Sequence, residues 1–138
     1  MGKPVAQRVV KALGWAGIAS GRAQVGILGL TFKEDAPDIR NTKVVDIARE
    51  LGEFGAAVLV HDPLADPTET HEEWGLRLAA LEEIRDVDAL ILAVPHRAYR
   101  DLGPADLLGR VRPGGVVLDM KSMLDPREIP AGVRYLSL

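Results

Sequence analysis

The stretch QVGILGLT at residues 24–31, together with ALILAV at residues 89–94, decides the class of fold. Both stretches are short and almost continuously apolar, which is typical of strands that are buried on both faces. Between them, residues 44–51 place apolar side chains three and four positions apart, which predicts a helix. Strands that alternate with helices predict a parallel sheet with right-handed crossovers.

Over the whole chain, this alternation predicts a Rossmann-like α/β fold: a three-layer sandwich with a mostly parallel sheet, preceded by an N-terminal helix. Strands are predicted at residues 24–31, 56–60, 76–78, 89–94, 116–119 and 134–138. Helices are predicted at residues 4–13, 42–54, 69–74, 81–87 and 104–110, and a turn at 113–115. In open parallel sheets, ligands bind at the carboxyl ends of the strands, where the strand order reverses.

Composition restricts the possible functions. The 138 residues suit one domain, and the net charge of −3 with scattered basic residues argues against nucleic acid as the main partner. Because there is no cysteine, disulfides, thiolate metal sites and thiol nucleophiles are excluded within this chain. The three histidines do not have the spacing of metal ligands, so no metal site is predicted. No apolar run approaches the ~20 residues of a membrane helix, so a cytoplasmic protein without a membrane partner is expected.

The connection after the first strand, FKEDAPDIRN at residues 32–41, is long and polar. Connections from strand to helix usually have roughly 2–6 residues. This one contains Lys33, Asp38 and Arg40, and it lies where ligands bind in such sheets. Composition alone leaves two interpretations open: a ligand-binding loop, or a solvated loop whose charges pair with one another.

A dinucleotide-binding strand ends in the pattern G-x-G-x-x-G, which forms a tight turn beneath the pyrophosphate. This chain has Gly26-Ile-Leu-Gly29 followed by the long polar loop, so the spacing does not fit. An NAD- or CoA-binding Rossmann protein is therefore the weaker hypothesis. A free-standing nucleotide-binding module is a further alternative.

Several segments resemble one known family. GILGLTFKEDAPDIRNTKVVD at residues 26–46 is similar to the opening of the last domain of the UDP-glucose/GDP-mannose dehydrogenase family. Later strand ends of that domain resemble HDP at 61–63, ILAVPH at 91–96 and VLDMK at 117–121. PDIRNT at residues 37–42, with Lys121, is closest to the branch that acts on UDP-N-acetylhexosamines in surface-polysaccharide synthesis.

The resemblance implies an activity for a longer enzyme. The family oxidises C6 of a UDP-sugar twice with two NAD and forms a UDP-uronic acid; its first domain binds NAD, and its helical middle domain carries the catalytic cysteine. Residues 1–20 would be the tail of a long linking helix, and residues 21–138 the UDP-binding domain. NAD would be bound mainly by domains absent from this chain. Without a cysteine, the chain alone is expected to bind rather than to catalyse, and no catalytic residue is predicted.

The resemblance also assigns partners and site residues. The partners are a UDP-sugar and the NAD-binding and helical domains of the parent enzyme, which is expected to be a homo-oligomer. Phe32 and Lys33 match the family's pair at the sugar-nucleotide site, and Lys121 matches a basic position that helps to bind the uridine nucleotide. Arg40 matches an arginine that faces the cofactor across the domain interface. The alternatives are packing for Phe32, solvation for Lys33, and pairing with an acidic loop residue for Arg40.

Two further polar residues end predicted strands. His96 is expected to be structural or solvated, because the family's acid-base chemistry is supplied elsewhere. Asp62 could be mistaken for the ribose-binding acid of a dinucleotide site. In this family it is expected to form a turn before Pro63.

Overall fold

The computed structural model describes residues 2–138. Helices and strands alternate along this part of the chain, with short 3-10 helices at Ser20–Arg22, Leu81–Glu83 and Pro126–Glu128. The main elements are α1 (Gly2–Trp15), β1 (Gln24–Leu28), α2 (Val44–Glu53), β2 (Ala57–His61), α3 (Pro67–Trp74), β3 (Val87–Leu92), α4 (Arg97–Leu102), α5 (Pro104–Leu108), β4 (Val111–Asp119) and β5 (Arg134–Ser137).

The strands form one sheet in the order β2-β1-β3-β4-β5, and every neighbouring pair is parallel. The chain passes from β1 to β2 on one side and returns to β3 on the other side of β1. The strand order therefore reverses between β1 and β3. The predicted Rossmann-like fold is confirmed, and its sheet is parallel throughout.

Alternate side chains of the central strand β3 enter two separate cores. Ala89 and Ile91 belong to the core that contains α1 and α2, while Leu90 and Leu92 belong to the core that contains α4 and α5. All four are at most 1% exposed. Burying a leucine or isoleucine side chain stabilises a fold by roughly 1.5–3 kcal/mol, so this strand fixes the centre of the three layers.

The predicted N-terminal helix is present as α1, and it packs against α2 and the sheet. It continues through Gly14, where its end was predicted. The chain turns instead at Gly17, which has a φ of +79°, and the amide of Ile18 donates to the carbonyl of Leu13 at 2.8 Å. Helices commonly end in this way, with a glycine in the left-handed backbone conformation just after the last turn. Residue 1 of the predicted linking segment 1–20 lies outside the described residues.

β1 ends at Leu28, three residues before the predicted end. Gly29 has a φ of +104°, and a Cβ at this position would lie 2.6 Å from Val94. The chain therefore leaves the sheet at a point where only glycine fits. Residues 81–87 were predicted to be helical, but β3 already begins at Val87.

The glycine-rich segment at 113–115 was predicted to be a turn, but it lies inside β4. The register between β3 and β4 shifts between Val87, which pairs with Val111, and Ala89, which pairs with Val116, so β4 carries an enlarged bulge of three extra residues. A Cβ on Gly115 would lie 2.8 Å from the carbonyl oxygen of Asp88, so the bulge requires glycine.

Two smaller differences concern short elements. The strand predicted at 76–78 is reduced to one bridge, between Leu78 and Val60. Helix α4, which begins directly after His96, was not predicted from the sequence. Nowhere in residues 2–138 is a helix both long and apolar enough to cross a bilayer.

Candidate functional site

Two adjoining depressions open beyond the carboxyl ends of β1, β3 and β4, where the strand order reverses. Their volumes are about 320 and 400 Å³, and they share the lining residues Phe32, Ala93, Val94 and Lys121. Together they form the switch-point groove, whose other lining residues are Thr31, Lys33, Glu34, Asn41, Thr42, Lys43, Val44, Pro95 and Met120. Ligands of open α/β sheets bind at this position.

Three of the predicted binding residues meet in the switch-point groove. Phe32 and Lys33 follow β1, and Lys121 follows β4. Phe32 is 55% exposed, so part of its apolar surface is accessible to a ligand. Within residues 2–138, neither lysine forms a salt bridge. The groove therefore offers ammonium groups and an aromatic face, which suit an anion that carries a flat ring.

Arg40 does not line the switch-point groove. Its side chain is 76% exposed and pairs with Asp38, with 3.2 Å between Nε and Oδ1. Its amide also donates to Oδ1 of Asp38 at 2.8 Å. These hydrogen bonds lower the pKa of the Asp38 carboxyl. The arginine is therefore held locally by the loop, and its guanidinium remains accessible from solvent.

The loop between β1 and α2 is anchored to the rest of the domain. The amide of Phe32 donates to the carbonyl of Asp38 at 2.7 Å, which closes the loop on itself. Ile39 is 1% exposed, and its carbonyl accepts the indole N–H of Trp74 at 2.8 Å. The hydroxyl of Thr42 accepts the amide of Val44 at 3.0 Å and so caps α2.

Asp62, at the end of β2, holds the first residues of this loop. Its Oδ2 accepts the amides of Leu30 at 2.7 Å and Thr31 at 3.0 Å. Its Oδ1 accepts the amides of Leu64 and Ala65, so it also forms the predicted turn. Burial alone would raise the pKa of Asp62, but the hydrogen bonds outweigh burial and lower it to about 2.

His96 is 1% exposed and lies directly beneath the loop. Its Nε2 is 2.8 Å from Oδ2 of Asp62 and 3.0 Å from Oγ1 of Thr31. Its Nδ1 accepts the amide of Asp35 at 2.9 Å. Every polar atom of the imidazole thus has a partner inside the protein, which agrees with the structural role expected from the sequence.

The part played by Asp35 was not predicted from the sequence. This residue has a φ of +58°, and its Oδ1 accepts the amide of Arg97, the first residue of α4, at 2.8 Å. Beside it, Glu34 pairs with Arg100 of α4 at 3.4 Å. Left-handed backbone is uncommon outside glycine and is tolerated best by asparagine and aspartate, which was the only signal available.

The residues after β1 do not fit a dinucleotide pyrophosphate. A tight glycine turn would have to lead straight from β1 into a helix, but the chain passes through residues 29–43 first. Val94 packs directly against Gly29. Nor do any three His, Asp or Glu side chains among residues 2–138 lie in a position to hold a metal ion.

A parallel sheet with a cationic and aromatic groove at its strand-order reversal defines a Rossmann-like domain of the nucleotide-binding class. The model of the UDP-glucose/GDP-mannose dehydrogenase family, UDP binding domain, matches residues 26–126, and the chain belongs to this family. The family predicted from the sequence motifs is therefore confirmed.

Individual relatives agree with this assignment. Protein CapL of Staphylococcus aureus is 40% identical over 138 residues, which cover 100% of this chain and 32% of that protein. The UDP-N-acetyl-D-glucosamine 6-dehydrogenase of Salmonella typhi is 36% identical over 124 residues, which cover 90% of this chain and 29% of that protein. The chain thus spans about a third of the length of the curated relatives it matches.

A solved structure shows the same fold. The NDP-N-acetyl-D-galactosaminuronic acid dehydrogenase from Methanosarcina mazei Go1 matches with a TM-score of 0.84 and 26% sequence identity. The match covers 98% of this chain and 28% of that chain. The structural match therefore includes helix α1 as well as the sheet.

Proposed function

We propose that the switch-point groove binds the uridine diphosphate part of a UDP-sugar, with Phe32, Lys33 and Lys121 as its contacts. One observation carries this proposal: these three residues follow two different strands and yet line one groove where the strand order reverses. A diphosphate is anionic, and the two lysines supply positive charge that forms no salt bridge within residues 2–138.

The exposed ring of Phe32 supports the same ligand. Its face can pack against a flat uracil or against the apolar face of a sugar, and such contacts recur wherever proteins bind single bases. A purely inorganic anion would make no use of this ring. The combination of an aromatic residue with two cations therefore favours a nucleotide over free phosphate.

The parent protein is proposed to be an NAD-dependent UDP-sugar 6-dehydrogenase that converts a UDP-N-acetylhexosamine to the corresponding uronic acid. The names of the relatives and the residues at 37–42 support this substrate class. When bound, NAD would accept the hydrides removed from C6 of the sugar. Because the residues after β1 do not fit a dinucleotide, NAD would be held mainly by domains outside this chain. The parent is further proposed to be cytoplasmic and homo-oligomeric.

Arg40 is proposed to face the cofactor across the interface with those other domains. Its side chain is 76% exposed and lies outside the switch-point groove, so it is available to a second domain. Its local pairing with Asp38 would orient the guanidinium before the interface forms. A guanidinium suits bidentate contact with phosphate.

Titration of the ¹⁵N-labelled chain with UDP and with NAD tests the proposal. UDP is expected to move the amide signals of Phe32, Lys33 and Lys121, with a dissociation constant of about 1 mM, because much of the site belongs to other domains. A stronger response of these amides to NAD would overturn the assignment. The purified chain is also expected to reduce no NAD with any UDP-sugar, and steady turnover would contradict its role as a binding domain.

A further inference from the structure

We propose that His96 is a positioning residue for the UDP site, because it fixes the backbone on both sides of Lys33. This inference rests on the proposed function, in which Lys33 contacts the nucleotide. His96 itself is buried and does not line the switch-point groove. Its effect on ligand binding would therefore pass entirely through the loop above it.

The polarity of the hydrogen bonds assigns one protonation state to the imidazole. The amide of Asp35 can only donate, so Nδ1 of His96, at 2.9 Å, must be the unprotonated nitrogen. The carboxylate of Asp62 can only accept, so Nε2, at 2.8 Å, must carry the proton. His96 is thus a neutral imidazole with its proton on Nε2.

The two nitrogens of His96 connect the buried base of the groove to the segment that carries the exposed Lys33. Asp62 is fixed by four backbone amides at the end of β2. Thr31, which lies 3.0 Å from Nε2 of His96, donates its hydroxyl to the carbonyl of Lys33 at 3.1 Å. On the other side of Lys33, the amide of Asp35 is held by Nδ1.

The segment that carries the lysine is therefore tied down before and after it, while the lysine side chain remains exposed. The carboxylate of Asp35 adds a third tie, to the amide of Arg97. Because Asp35 has a left-handed backbone, this conformation needs support from its neighbours. Preorganising a contact residue in this way reduces the entropy that a ligand must remove on binding.

Two substitutions separate the two nitrogens of His96. In His96→Asn, the amide oxygen can occupy the place of Nδ1 and accept the amide of Asp35. In His96→Gln, the amide nitrogen can occupy the place of Nε2 and donate to Asp62, while no acceptor remains for Asp35. In either variant Asp62 can still accept the amide of Thr31, so one tie before Lys33 remains, whereas the tie to Asp35 is lost only in His96→Gln. A role in positioning the loop therefore predicts that only the first variant keeps UDP affinity.

The experiment measures thermal unfolding and UDP affinity of the unmodified chain, both His96 variants and Lys33→Ala. His96→Asn is expected to bind UDP within about threefold of the unmodified chain, and His96→Gln about tenfold more weakly. Equal affinities of the two His96 variants would overturn the positioning role. Unchanged affinity in Lys33→Ala would instead overturn the proposed function, so the two failures are distinguishable.

A measurement on the unmodified chain covers the case in which His96→Gln does not fold. The ¹⁵N spectrum of the imidazole is expected to show a bare Nδ1 and a protonated Nε2. It is also expected to show coupling across the hydrogen bond between Nδ1 and the amide nitrogen of Asp35. A proton on Nδ1, or the absence of that coupling, would overturn the inference without any substitution.

Discussion

Nε2 of His96 lies 2.8 Å from Oδ2 of Asp62, and both side chains are almost completely buried. The pair joins the end of β2 to the residues that follow β3. Because Asp62 also accepts the amides of Leu30 and Thr31, this one carboxylate holds all three segments at the base of the groove. The stability of the domain should consequently depend on the ionisation of this carboxylate.

Acid is expected to destabilise the domain through Asp62. Its pKa is about 2 in the folded chain against an ordinary value of 3.8, since its hydrogen bonds outweigh the effect of burial. A carboxyl with a lowered folded pKa contributes stability above its unfolded pKa and loses it as the pH falls toward the folded one. Urea unfolding between pH 6 and pH 2 is expected to show a loss of roughly 2 kcal/mol from this group, mostly below about pH 4.

The variant Asp62→Asn tests the source of that loss. An amide nitrogen placed against the loop amides would leave buried donors facing one another, so the variant should be less stable at pH 6 by roughly 1–3 kcal/mol. Its stability should then fall less steeply than that of the unmodified chain between pH 4 and pH 2. Asp101→Asn is the matched control, because Asp101 is exposed and its carboxylate forms no salt bridge within the described chain. An equally steep acid response in Asp62→Asn would assign the transition to other carboxylates.

Lys33→Ala is expected to weaken UDP binding without unfolding the domain. The side chain is exposed and forms no salt bridge within residues 2–138, so its truncation should change the free energy of unfolding by less than about 0.5 kcal/mol. A lost charge-assisted hydrogen bond costs roughly 1.5–3 kcal/mol, or ten- to a hundred-fold in affinity. A thermal melt and a UDP titration decide between these effects.

Lys3→Ala provides the control, because Lys3 is exposed on α1 and does not line the groove. It should leave both measurements unchanged. Lys43 is unsuitable as a control, since it lines the groove at the start of α2. If Lys33→Ala lowered the melting temperature and left UDP affinity intact, the lysine would be structural.

The candidate site residues were assigned from the resemblance to the family, and sheet topology explains why they lie close together. Phe32, Lys33 and Lys121 each follow a strand, and parallel strands end at one edge of the sheet. Local pairing of charges, one of the two interpretations of the polar loop, holds for part of it, and ligand binding by the loop stays a prediction. Arg40 pairs locally with Asp38, while Lys33 remains without a carboxylate partner in the described chain.

Other features depend on contacts between distant residues and left no local signal. His96 and Asp35 are 61 positions apart, so their hydrogen bond exists only once the sheet has formed. The segment at 113–115 has the composition of a turn, and only the approach of Asp88 in the neighbouring strand makes it a bulge. The glycines at 114 and 115 indicate an unusual backbone, but they do not distinguish a turn from a bulge.

Phe32→Ala is expected to reduce UDP affinity by about tenfold, because contact between an aromatic ring and a base contributes roughly 1–3 kcal/mol. The ring is 55% exposed, so its loss should hardly affect stability. Phe54→Ala is the control, since Phe54 is also partly exposed and lies outside the groove. If Phe32→Ala melted at a lower temperature and bound UDP normally, Phe32 would be a packing residue.

Arg40→Ala should behave differently from the two groove variants. Its pairing with Asp38 is on the surface, where such pairs contribute little, and the isolated chain should keep its stability and its UDP affinity. In the full-length parent enzyme, the apparent affinity for NAD should fall while that for the UDP-sugar stays the same. Steady-state kinetics with each substrate varied in turn measures both. If only the apparent affinity for the UDP-sugar changed, Arg40 would contact the substrate and not the cofactor.

Gly29→Ala is expected to destabilise the domain, whereas Gly14→Ala should not. Gly29 has a φ of +104°, and its new Cβ would lie 2.6 Å from both the backbone nitrogen and the Cβ of Val94. Neither atom belongs to a flexible side-chain end, so the strand ends would have to separate, at a cost of roughly 2 kcal/mol or more.

At Gly14, in α1, no atom of a neighbouring element lies within 4 Å of the new methyl group. Alanine also favours the helix over glycine there, by about 0.5 kcal/mol. Urea unfolding of the two variants should therefore shift in opposite directions from the unmodified chain. Because Val94 lines the groove and packs on Gly29, Gly29→Ala should also weaken UDP binding at temperatures where it remains folded. If both variants had the same urea midpoint of unfolding, the backbone after β1 would have to lie farther from Val94 than described.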